Sequence, residues 1–396
     1  MSLLGRLQPT APDKILKLMA MFRDDPRINK VDLGVGVYRS AEGTTPVLRA
    51  VAEAEAQILR DQTTKSYTAL AGDPAFHQAL GDLVLGDTAD WSRIAAIATP
   101  GGTGAFRQAI ELVRRTKSDG QVWVPDPSWP NHAAILSETG TPWRSYRYVD
   151  RNTGMLDRDG MLTDLQGAKR GDVVLLHGCC HNPTGVDLDL KDWDQIAAIC
   201  EQTGAMPLID IAYQGFGRGL EQDAQGVRLI ASRLPEALIG ASCSKNFGLY
   251  RERVGLLLAL TDGQTQQAVT QGAMEWLNRL SYAFPPDHGA RVVTKVLSSP
   301  QLCDNWLTEL EEMRSRIERL RRQFAHALTE ATGRDRYGYI ERGKGMFCLL
   351  PATPDHVAAL RESHGVYVID DGRLNVAGLS EDTIPQVAAA IRSCGI

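Results

Sequence analysis

Between about residues 94 and 260 the chain alternates short apolar runs with longer amphipathic segments, and this alternation limits the folds open to it more than any other feature. The runs fall at 94–99, 122–124, 173–177, 208–211, 237–241 and 255–260. Each is too short for a buried helix, and most end in Gly, Pro, Asp or Asn, the punctuation expected where a strand meets a functional loop. Segments 104–117, 192–202 and 225–232 carry apolar residues at helical spacing. The pattern predicts an α/β fold with a mostly parallel central sheet, whose ligands sit at the carboxyl ends of the strands.

The texture changes near residue 300. Leu302, Trp306, Leu310, Met313, Ile317, Leu320, Phe324 and Leu328 recur every three or four positions, which predicts one long helix burying a single face. Strands are expected after it at 337–341, 346–350, 366–369 and 374–376, followed by a closing helix. A chain of 396 residues is too long for one simple core. The expected division is a large domain over 46–299 and a smaller α+β domain over 300–396. The N-terminal segment 1–45 is expected to pack with the smaller domain, because chain ends often lie close together.

Composition narrows the function. A net charge of -5 leaves no basic face for nucleic acid, and the basic stretch 314–322 is interrupted by Glu318 and apolar residues, as on the solvated side of a helix. The seven cysteines include the adjacent pair Cys179 and Cys180 but no C-x-x-C, so a reduced, cytoplasmic protein without a metal cluster is expected. No apolar run approaches the ~18 residues of a membrane span, and the N-terminus lacks the apolar core of a secretion signal.

Chemistry concentrates at the predicted strand ends. T-P-G-G-T-G-A (99–105) is either a tight turn or a phosphate cradle at a helix N-terminus. D-P-S-W-P-N-H (126–132) offers Trp129, as a rim aromatic or a flat face for a ring, and His132, as a core histidine or a donor to Asp210. C-C-H-N-P-T-G (179–185) offers a turn, or an amide at Asn182 aimed out of the sheet. L-I-D-I-A-Y-Q-G-F-G (208–217) puts Asp210 inside an apolar run, a costly place unless a salt bridge or a protonated heteroaromatic nitrogen meets it, with Tyr213 three residues on. A-S-C-S-K-N-F-G-L-Y-R-E-R-V-G (241–255) sets Lys245 among serines with Arg253 eight positions later. An amine that can shed its charge can bind an aldehyde cofactor as a Schiff base, and serines with an arginine suit a phosphate.

In that order and spacing, S-W-P-N-H, H-N-P-T-G, D-I-A-Y-Q-G-F and S-K-N-F-G-L-Y-R-E-R resemble the class I, fold type I aminotransferases that use pyridoxal 5'-phosphate, in their aspartate and aromatic-amino-acid branch. L-G-V-G-V-Y-R, T-K-S-Y and G-R-L-N-V-A-G extend the likeness across essentially the whole chain. The resemblance implies a large domain with a mostly parallel mixed sheet plus a smaller α+β domain. It also implies a homodimer with shared active sites.

The same resemblance implies a role for each matching residue. Lys245 would form the Schiff base and shuttle the α-proton in a ping-pong cycle. Asp210 would pair with the ring nitrogen, with His132 behind it. Tyr213 and Asn182 would bond the phenolate oxygen, and Trp129 would stack on the ring. Gly102, Thr103, Ser242, Ser244 and Arg253 would hold the phosphate, joined by Tyr67 of the neighbouring subunit. Arg373 and Asn182 would grip the substrate carboxylate, with Gly36 against the substrate. Arg279 would reach a side-chain carboxylate across the dimer interface, and Phe347 would add an apolar wall. Phe284, where aspartate-specific relatives have a small polar residue, favours transamination of phenylalanine, tyrosine, tryptophan or aspartate with 2-oxoglutarate. Thr45 and Thr103 match aspartate enzymes, and a dedicated aspartate aminotransferase is the alternative.

Overall fold

The computed structural model describes residues 2–9 and 13–396. Residues 1 and 10–12, part of the expected N-terminal segment, lie outside the described residues. A seven-stranded sheet organises the molecule: β1 (Ile94–Pro100), β2 (Val122–Asp126), β3 (Trp143–Arg147), β4 (Val173–His177), β5 (Met206–Ile211), β6 (Ala237–Ser242) and β7 (Val254–Leu260). Its spatial order is β1-β7-β6-β5-β4-β2-β3. Neighbours from β3 to β6 run parallel, and only β7 runs antiparallel to both of its neighbours.

All six apolar runs became strands. The seventh, β3, carries the sequence W-R-S-Y-R and buries only Tyr146. An edge strand with one protected side chain has no apolar run to betray it. Helices Gly101–Arg115, Leu190–Thr203 and Leu220–Arg233 fill the expected crossovers. The register pairs His177 with Asp210 and Asp210 with Gly240, so the carboxyl ends of β4, β5 and β6 meet at one level. This is the crevice in which open α/β sheets bind ligands.

The long helix spans Pro300–Thr332, opened by Pro300 behind a Ser299 cap and closed by Gly333 in the left-handed region. It runs past both units, placing Trp306, Leu310, Met313 and Ile317 in the large core and Leu320, Phe324 and Leu328 in the C-terminal one. Short strands Phe347–Leu349 and Arg373–Asn375 pair antiparallel near its end. Segment 337–341, expected as a strand, is instead a helical turn running into helix Gly338–Arg342. Tyr337, Tyr339 and Ile340 are all buried there, and two successive buried residues break the alternation of a half-buried strand. In the N-terminal segment, Val31–Asp32 pairs parallel with Val366–Tyr367, and Leu33 joins the C-terminal core.

Candidate active site

A cavity of about 260 Å³ opens at the ends of β4, β5 and β6. Thirteen of the residues singled out from the sequence line it: Gly36, Gly102, Thr103, Trp129, Asn182, Asp210, Tyr213, Ser242, Ser244, Lys245, Arg253, Phe347 and Arg373. Two do not. Tyr67 is 83% exposed and stacks on Phe284, ring centres 4.6 Å apart, while Arg279 lies exposed near the end of helix Gln264–Ser281. Phe284 is likewise no part of the cavity wall.

One end of the cavity is built to hold an anion. Helix Gly101–Arg115 begins at Pro100 with no side-chain cap, which leaves the N–H groups of its first turn without side-chain partners. Gly101 sits at φ +70°, and a Cβ there would collide with the Arg253 guanidinium. Arg253 donates to Ser244 Oγ at 3.3 Å and to the Tyr250 carbonyl at 3.1 Å, and Ser242 Oγ lies 3.2 Å from Ser244 Oγ. A guanidinium, two hydroxyls and a bare helix start therefore converge on one point.

The middle is a line of hydrogen bonds behind Asp210. Asp210 Oδ2 lies 3.0 Å from His132 Nε2, His132 Nδ1 lies 2.9 Å from Ser128 Oγ, and Ser128 Oγ lies 3.2 Å from His177 Nε2. Burial, reinforced by His132, pushes His177 down to about 3, so it stays neutral at physiological pH. The line of contacts runs from His177 through Ser128 and His132 to the carboxylate. Burial alone would raise the Asp210 carboxyl, but the His132 bond and the nearby Lys245 outweigh it and hold the group below its usual range. Asp210 is thus a fixed anion facing the cavity. Trp129 stands edge-on to His132 at 5.1 Å.

Lys245 follows β6 and its amine lies 4.9 Å from the centre of the Tyr213 ring. Burial lowers the amine, Asp210 draws it part of the way back, and Arg253 and Arg373 push it down again, leaving it at about 8. Burial raises the Tyr213 phenol, which keeps its proton. The loop itself is pinned from the long helix: Trp306 Nε1 donates to the Asn246 carbonyl at 2.8 Å, and the Trp306 ring stacks on Phe247 at 4.4 Å.

The far wall carries Arg373, 4% exposed, whose guanidinium lies 4.7 Å from the centre of the Phe347 ring and donates to the Gly34 carbonyl at 2.8 Å. Its buried Nε finds no partner within the protein, and neither does Asn182 Oδ1. Buried polar groups are rarely left so, and a carboxylate-bearing ligand would satisfy the guanidinium. Gly36 reaches this wall because Asn375 Nδ2 holds the Val35 and Val37 carbonyls at 2.7 and 2.8 Å. A Cβ on Gly36 would stand 3.1 Å from the Phe347 ring, so any side chain there would press on the wall.

Sequence reasoning missed Ile15, Val35, Val37, His177, Cys179, Ala212 and Tyr250, all of which line the cavity. His177 ends a predicted strand and faces Asp210 in register, a signal that could have found it. The apolar residues carry no such mark.

The cavity accommodates pyridoxal 5'-phosphate on its own chemistry: an anion cradle, a fixed carboxylate, an unsatisfied amide and a depressed lysine. Comparison with known proteins agrees. A model of the family "Aminotransferase class I and II" matches residues 28–391. The chain is 54% identical to an aromatic-amino-acid aminotransferase of Paracoccus denitrificans, each covered over 100% of its length. It is 42% identical to the aspartate aminotransferase of Escherichia coli, each covered over 96%. A solved aromatic-amino-acid aminotransferase from Burkholderia pseudomallei, covalently bound to pyridoxal phosphate, superposes with a TM-score of 0.96 at 38% identity, with 100% of both chains covered. The chain belongs to the class I and II aminotransferases, with the fold type I architecture and the pyridoxal 5'-phosphate dependence of that family.

Proposed function

We propose that this protein transaminates aromatic amino acids and aspartate with 2-oxoglutarate, as a cytoplasmic homodimer whose two sites each borrow residues from the other chain. The observation that carries the reading is Lys245, an amine held at about 8 between an ionised aspartate and two arginines. When bound, pyridoxal 5'-phosphate supplies an electrophilic aldehyde and a ring that can take up negative charge.

Each residue then has a task. Gly102, Thr103, Ser242, Ser244 and Arg253 anchor the phosphate, joined by the partner copy's Tyr67. Asp210, oriented by His132, keeps the ring nitrogen protonated. Asn182 and the protonated Tyr213 would hold the cofactor's phenolate oxygen, and Trp129 would pack against its ring. Arg373, with Asn182, fixes the α-carboxylate and so decides which bond at the α-carbon faces the ring. Lys245, neutral for part of the time near pH 8, would be the base that accepts the substrate's α-proton at its Nζ.

Phe347 with Ile15, Val35 and Val37 gives the substrate end an apolar lining that suits an aromatic side chain. Arg279, supplied from the partner copy, suits a second carboxylate. The names of the Paracoccus and Escherichia relatives fall on either side of the same choice. Comparing kcat/KM for phenylalanine and for aspartate, each with 2-oxoglutarate, tests it. Comparable values are expected; a phenylalanine value lower by several orders of magnitude would leave a dedicated aspartate aminotransferase.

A further inference from the structure

Arg321 is 2% exposed and sits in the C-terminal half of the long helix, with no carboxylate paired to it among the described residues. Its guanidinium makes four hydrogen bonds, all to backbone carbonyls. Nε donates to the Gly345 carbonyl at 2.9 Å, Nη1 to Ile340 at 2.7 Å, and Nη2 to Lys344 at 3.0 Å and to Phe347. A buried cation is costly unless such bonds are complete, and a planar fork can complete them where a point charge cannot.

The gathered segment does not belong to the small domain alone. The Lys344 N–H donates to the Gly185 carbonyl at 2.7 Å, and the Gly185 N–H donates to the His181 carbonyl at 2.7 Å, closing the turn that holds Asn182. Glycines make the junction possible. Gly185 sits at φ +72°, and a Cβ there would stand 2.5 Å from Arg321 Nη2 and 2.5 Å from the Phe347 carbonyl. A Cβ on Gly343 would stand 2.6 Å from Arg321 Nη1. Two active-site walls, one from each domain, therefore meet at a single side chain that does not itself line the cavity.

We infer that Arg321 is a positioning residue for substrate, tying the turn that aims Asn182 to the segment that sets Phe347 beneath Arg373. The inference rests on the transamination proposed above for what those walls bind. The alternative is a staple confined to the small domain.

Arg321→Lys in the holoenzyme separates the two. Hydrogen exchange is expected to speed up by roughly 5-fold or more in peptides covering both 181–187 and 343–348, with the rest of the long helix unchanged. The KM for phenylalanine is expected to rise about 5-fold or more while kcat stays within roughly 2-fold, the signature of lost positioning that ground and transition states share. Faster exchange limited to 343–348, or an unchanged KM, overturns the inference. If Arg321→Lys fails to accumulate as folded protein, Gly185→Ala approaches the same junction from the large domain and is read the same way. A wild-type enzyme inert toward phenylalanine would sink the transamination of aromatic substrates, and the KM arm then passes to aspartate.

Discussion

A lysine beside an ionised aspartate and two arginines titrates where those neighbours leave it, and at Lys245 that is about 8 against an ordinary 10.5. In the protein stripped of cofactor, trace acetylation of Lys245 should reach half its limiting rate near pH 8, because only the neutral amine reacts; a midpoint near 10.5 would contradict the electrostatics described. Asp210→Asn should move that midpoint lower still, since Asp210 is the neighbour that raises it. The same shift has a stability consequence with a definite sign. Between pH 8 and 10.5 the unfolded chain binds the proton that the folded one has lost, so this group's contribution to stability increases with pH across that window. Lys245→Met should remove that increment in thermal melts of the cofactor-free protein. At this scale the sequence was highly informative, because Lys245, Asp210, Asn182 and Arg253 stand at strand ends, where chemistry has a fixed address. The Ser128–His177 link was not readable, because only the fold brings residues 49 positions apart to 3.2 Å.

Elements were legible where they repeat a period and obscure where another element completes them. Helix Arg49–Asp61 begins after Leu48, which cannot cap it. Its first N–H groups instead donate to Glu309 on the long helix, Arg49 N at 2.8 Å and Ala50 N at 3.1 Å. No window of sequence could show a cap supplied from 260 residues away. Glu309→Ala should orphan both donors and destabilise the fold by about 1–3 kcal/mol, read as a lower denaturant midpoint with an unchanged slope. The helix that starts at Gly101 makes a complementary case, its first-turn N–H groups free and its glycines announced in the sequence. Gly101→Ala places a Cβ in the path of Arg253 at a φ of +70°, so cofactor affinity should fall by roughly tenfold or more in an absorbance titration while the fold persists. An affinity equal to wild type would show that the anion cradle lies elsewhere.

For the whole molecule, the decisive residues are those that the cavity of one chain leaves outside. Tyr67 and Phe284 stack face to face on the surface, and Trp276 and Leu280 on helix Gln264–Ser281 are 51% and 63% exposed beside Arg279. Apolar side chains grouped around an arginine form a surface that a second copy can cover. If that copy supplies Arg279 to this cavity, two crippled chains should repair each other. Lys245→Ala lacks the catalytic amine, and Arg279→Ala lacks the partner's grip on a side-chain carboxylate, so each homodimer should turn over aspartate poorly. Unfolding and refolding the two together at equal amounts makes half of the dimers mixed. In each mixed dimer one site receives Lys245 from one chain and Arg279 from the other. About a quarter of all sites should then be whole, and aspartate turnover should recover to about a quarter of wild type. Phenylalanine has no second carboxylate to lose, so Arg279→Ala alone should retain most of its activity toward it. Absence of recovery with aspartate, in a mixture shown by sedimentation to be dimeric, would place Arg279 outside the shared site and return the side-chain pocket to the residues of a single chain.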